Sequence, residues 1–115
     1  MKFAALVAIV AEDLEEKAIE AARKAGAAGM TILSARGVGA EERKTFFGLT
    51  YQGSQTVLFC VVEKKLSVSI MKSIAEELEL KTSSKGVVFT LPLEHIAGID
   101  TRQIESFAEQ IREEI

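Results

Sequence analysis

The stretch Gly29-Met30-Thr31-Ile32-Leu33-Ser34-Ala35-Arg36-Gly37-Val38-Gly39 decides how this chain is read. Thr31–Ala35 is a short run rich in good β-formers, long enough for a modest strand. Two glycines, Gly37 and Gly39, come after it, one residue apart. Glycine reaches positive φ without a Cβ penalty and lets a ligand come close to the backbone. The segment therefore predicts a strand that leaves into a loop whose amides can meet an anion or a purine edge. A turn that merely exits the strand is the alternative that these residues leave open.

Working outward toward the N-terminus, Phe3–Val10 is an almost wholly apolar run of strand length. Glu12 and Asp13 interrupt it, far short of the roughly 20 apolar residues of a membrane span. Asp13, with Glu16 three residues on, predicts a helix N-cap. Leu14, Ala18, Ala21, Ala22 and Ala25 then share one stripe, and Gly26 ends the helix. That many alanines permit close packing of the helix on a sheet.

In the other direction, residues 36–55 hold Gly37, Gly39, Gly48, Gly53 and the charged run Glu41-Glu42-Arg43-Lys44. The segment is long for a simple hairpin, which marks it as a functional candidate. Thr56–Val62 predicts a third strand, and Leu66, Ile70, Met71, Ile74, Ala75 and Leu78 form the stripe of a second helix. Gly86–Leu91 supplies a fourth strand, stopped by Pro92. Asp100 with Gln103 caps a final helix carrying Ile104, Phe107, Ala108, Ile111 and Ile115 on one side. The order is β-α-β-β-α-β plus a C-terminal helix, a ferredoxin-like α+β fold expected to occupy residues 1–115 as one domain. Helices on one face leave the other face of such a sheet open, so burial against further copies is expected. Periodicity leaves two and three copies equally open.

Composition narrows the function classes. The 115 residues are 48% hydrophobic and 27% charged, an ordinary globular balance that argues against disorder. A net charge of -3 without a dense basic stripe does not support nucleic-acid binding. Cys60, within Val57-Leu58-Phe59-Cys60-Val61-Val62, reads as core filler on a buried strand. His95 lies in Leu93-Glu94-His95-Ile96 without chelating spacing, so no metal site is assigned, and no nucleophile–base pair points to an enzyme. A cytoplasmic location without direct membrane insertion is the expectation.

The 29–39 segment, joined to this element order, resembles the PII nitrogen-regulatory signal-transduction family, in which the second strand carries Gly-Met-Thr and ends in Gly-x-Gly. The resemblance implies a homotrimer with an adenine nucleotide between subunits and no cofactor beyond such a ligand. By position it implies nucleotide contacts at Thr31, Gly37, Gly39, Glu41, Lys81, Lys85 and Gly86. It also implies that the 40–55 loop meets a regulated protein, a membrane transporter or an enzyme; the loop's own composition offers Phe46, Phe47, Leu49 and Tyr51 as apolar anchors, with extension of the core by Phe46 and Phe47 as the alternative.

The departures from the family pattern are specific. Glu41 replaces a loop glutamine, the one tied to a 2-oxoglutarate response. Leu80-Lys81-Thr82-Ser83-Ser84-Lys85-Gly86-Val87 replaces a glycine-rich second loop, and two phosphate-clamping arginines fall at Gly98 and Asp100. Fewer donors for β- and γ-phosphates shift the expected ligand from ATP toward AMP, ADP or cyclic AMP. Two alternatives stand beside this reading: a metal-binding trimer resembling the copper-tolerance family, and a nucleotide-independent structural or interaction protein.

Overall fold

A computed structural model describes residues 2–37, 45–46, 49–50, 54–83 and 85–98, with the side chains of 45–50 left aside. The strands are β1 (Phe3–Ala11), β2 (Thr31–Arg36), β3 (Thr45–Phe46), β4 (Leu49–Thr50), β5 (Ser54–Glu63) and β6 (Gly86–Pro92). The helices are α1 (Glu15–Lys24), α2 (Lys64–Glu77) and the single turn α3 (Leu80–Ser83). A four-stranded antiparallel sheet runs in the order β2-β5-β1-β6, and β3 pairs with β4 apart from it. The ferredoxin-like α+β expectation holds. The expected C-terminal helix, with Asp100 and Gln103, lies outside the described residues.

Register explains the two faces. Directly paired residues point to the same side of a sheet. Ile32, Leu58, Ala8 and Val88 make one row, and Cys60 with Leu6 another. This side packs against Ala18, Ala21 and Ala22 of α1, Ile70 and Ile74 of α2, and Leu78 directly after α2, where the core sits. The alanines bring α1 close enough for the Ser73 hydroxyl of α2 to donate to the Ala21 carbonyl at 2.8 Å. The opposite side carries Thr31, Phe59, Val7 and Phe89 in one row and Leu33, Val57, Ile9 and Val87 in the next. No described helix packs on it, and Leu33 and Leu91 stay 51% and 49% exposed. Edge strand β2 makes its extensive contacts with β5 alone, so even Ile32, on the helix side, is 46% exposed.

Three local details depart from the sequence reading. Asp13 does not cap α1: Glu12–Leu14 form a 3-10 turn and α1 starts at Glu15 with no side-chain cap. Acidic residues still crowd that end, where the helix dipole favours them. α2, by contrast, is capped by the carboxylate of Glu63, which accepts from the Leu66 amide at 3.2 Å. Within the long 36–55 connection, Phe46 pairs with Leu49 and Thr45 with Thr50, a hairpin too short for periodicity to reveal.

Candidate functional site

One end of the sheet gathers most of the singled-out residues. β2 ends there at Arg36, with the buried Gly37 next in the chain. β5 begins there at Ser54, and β1 finishes with Ala11, paired with Gln55. The Ala11 amide donates to the Lys85 carbonyl at 3.0 Å, which docks the segment before β6 onto the same end. Thr56, fully buried, donates its hydroxyl to Glu15 at 2.9 Å and ties the start of α1 to β5. Gly39, Glu41, Phe47 and Tyr51 lie outside the described residues. Phe46 and Leu49 occupy the paired positions of the small hairpin.

The candidates nevertheless divide between opposite edges. Thr31 and Gly37 belong to β2 and its exit; Gly86 and Lys85 belong to β6 and its entry; β5 and β1 separate them. Three strand spacings of about 4.8 Å put the two edges roughly 14 Å apart. Gly86 also sits three residues along from Phe89, the β6 residue in the Thr31 row, roughly 10 Å further. One copy does not close Thr31 and Gly86 around a single small ligand.

The chain's relationships agree with this architecture. The family model "Nitrogen regulatory protein P-II" matches residues 3–103. The chain belongs to the P-II family. No curated protein sequence matches it. Among solved structures it is similar to Arabidopsis thaliana PII bound to citrate, with 25% identity, TM-score 0.63, and 90% of this chain and 86% of that one covered. It is also similar to CPII of Thiomonas intermedia bound to ADP, AMP and acetate, with 19% identity, TM-score 0.61, and 84% and 90% covered. A PII-like signaling protein of Thermus thermophilus is similar at 20% identity, TM-score 0.61, with 81% and 87% covered. At 19% and 20% identity the last two establish the fold.

Within this P-II fold, the segment before β6 is built as a braced turn. The Thr82 and Ser83 amides both donate to the Glu79 carbonyl, at 3.1 and 2.9 Å, forming α3. The Lys85 amide donates to the Ser83 hydroxyl at 3.4 Å. These three amides serve the turn, whereas a phosphate cradle needs them aimed outward. Lys81 sits exposed on α3, and the Lys85 ammonium lies 4.0 Å from the Asp13 carboxylate. Gly86 has a packing role of its own: a Cβ there would lie 2.8 Å from Val10 Cγ1, 3.0 Å from Leu80 Cδ2 and 3.1 Å from the Ile9 carbonyl oxygen.

Two relationships escape the sequence reading. Phe59 stands directly across from Thr31 on the open face, and its ring is partly exposed. Asp13, which the sequence pattern makes a helix cap, faces Lys85 instead. Both relationships join positions distant in sequence, so only the register and the docking of the β6 entry expose them. The remaining chemistry is sparse. Burial raises the Cys60 thiol above its usual range and keeps it protonated, which suits core filler. His95 is exposed, and the described residues contain no cluster that could hold a metal. No described helix is long and apolar enough to cross a membrane.

Proposed function

We infer that this chain is a regulatory P-II protein, not an enzyme, that assembles as a homotrimer and binds an adenine nucleotide between copies. It then signals to a partner protein through residues 40–55, with Phe46, Phe47, Leu49 and Tyr51 as contact residues. The observation that carries the reading is the division of the candidate residues between the two edges of one sheet. Placing the β2 edge of one copy beside the β6 edge of the next brings Thr31 toward Lys81, Lys85 and Gly86. Such head-to-tail contacts close into a ring when the rotation from one copy to the next divides a full turn. Gly37 and Gly39 at the base of the 40–55 segment give a bound ligand a route to bias that segment between conformations.

AMP, ADP and cyclic AMP fit this cleft better than ATP, because the amides before β6 are already used and few cations face it. Binding of ADP and AMP by the Thiomonas relative supports the ligand class. Sedimentation equilibrium should return a trimer, and calorimetry against AMP, ADP, ATP and cyclic AMP should show saturable binding. A monomer without heat from any of the four would defeat the proposal. The packing role of Gly86 favours a second reading, a nucleotide-independent interaction protein. That reading expects assembly without any nucleotide response in hydrogen exchange over residues 40–55.

A further inference from the structure

We propose that Asp13 selects ligand charge in this cleft: by engaging Lys85 it disfavours a polyphosphate relative to a monophosphate. The inference rests on the nucleotide reading above and deepens it. Asp13 lies on the 3-10 turn that directly continues β1, and Lys85 lies directly before β6. The Ala11–Lys85 backbone hydrogen bond docks the two segments side by side, and across them the Asp13 carboxylate lies 4.0 Å from the Lys85 ammonium. The other carboxylate of that turn is Glu12, which is exposed, and Glu15, which opens α1, accepts from Thr56.

An incoming phosphate must therefore compete with Asp13 for Lys85. Each added phosphate adds charge that a freed ammonium attracts, whereas an adenosine or ribose group is indifferent to it. Both side chains are largely exposed, Lys85 at 55% and Asp13 at 70%. Solvent screens the pair accordingly, so its influence is modest, about 1.5- to fivefold in affinity. Asp13 thus acts as a specificity residue whose removal changes the ranking of ligands, without loss of the site.

The test is calorimetry with AMP and ATP on the full chain, comparing wild type with Asp13→Asn, Lys85→Gln and the double variant. Asp13→Ser serves as a second neutral replacement, and circular dichroism checks that each variant is folded. The ratio of the ATP to the AMP dissociation constant should fall about 1.5- to fivefold in Asp13→Asn and Asp13→Ser, through tighter ATP binding. The gain should vanish in the double variant, because the freed ammonium is its source. A ratio unchanged by either Asp13 substitution, or a gain that survives loss of Lys85, overturns the charge-selection proposal alone. Absence of binding by wild type to either nucleotide overturns it together with the nucleotide reading.

Discussion

The two faces of the sheet are made from the same kinds of residue and differ in how far one copy covers them. On the helix side Leu6, Ala8, Leu58 and Cys60 are buried under α1 and α2. On the open side Ala5 and Val7 on the central β1 are buried, whereas Leu33, Phe59 and Leu91 remain exposed, with no described helix above them. The difference lies in the crossovers between strands, since α1 and α2 both pack on the same side. Apolar character alone thus says that a strand is buried on both faces, and topology says which burial one copy can supply. Truncation on the covered side should be severe: Leu58→Ala removes a fully buried side chain beneath the helix layer. It should lower unfolding stability by about 2–5 kcal/mol in urea titrations. A loss below about 1 kcal/mol would mean that the helix layer is loosely packed.

The entry of β6 sharpens the comparison at one backbone position. Gly86→Ala places a Cβ against Val10, Leu80 and the Ile9 carbonyl, one of them main chain, so the neighbours must yield. A cost of about 1–3 kcal/mol is expected in thermal or urea unfolding with no ligand present. Gly29→Ala is the matched control, since nothing lies within 4 Å of its Cβ position. An equally neutral Gly86→Ala would return the explanation of that glycine to ligand approach.

Much of the fold is legible in the sequence because long apolar strands and helical stripes are local signals. Phe3–Val10, Thr31–Ala35 and Thr56–Val62 agree with the observed strands to within a few residues, and Gly26 does end α1, at φ +114°. The site is legible only as separate positions. Gly37 is marked by its spacing from Gly39, but that Thr31 and Gly86 stand on opposite edges depends on strand order. Asp13 shows how local logic fails: acidic residues before a helix satisfy a capping pattern, yet the chain makes a 3-10 turn and leaves the carboxylate facing Lys85. Glu63 fails in the reverse sense, since glutamate is not among the favoured N-caps and still accepts from Leu66.

A smaller effect is expected where a polar contact ties β5 to the start of α1. Thr56 is buried, and its hydroxyl holds Glu15 at the entrance to α1. Thr56→Val keeps the shape, removes the donor, and leaves a part-exposed carboxylate that water can reach. The expected loss is about 1 kcal/mol by urea unfolding. Glu15→Gln, which keeps an acceptor at the same place, should recover most of the wild-type value, whereas a loss equal to that of Thr56→Val would point to charge at the helix start as the larger contributor.

The smallest intrinsic effect belongs to the open face, and it tests the comparison most directly. Leu33→Ser removes an apolar side chain that is already half in water within one copy. Its cost to that copy's own fold should stay within about 0.5 kcal/mol. If further copies cover this face, folding and association are linked, and the wild-type unfolding midpoint rises with protein concentration. Leu33→Ser should flatten that dependence while barely moving the midpoint at the lowest concentration. Urea unfolding over a wide range of concentrations separates the contributions. A large loss that is the same at every concentration would place Leu33 in the copy's own core. A wild-type midpoint independent of concentration, on protein that sediments as a monomer, would leave the open face facing water and remove the cleft between copies.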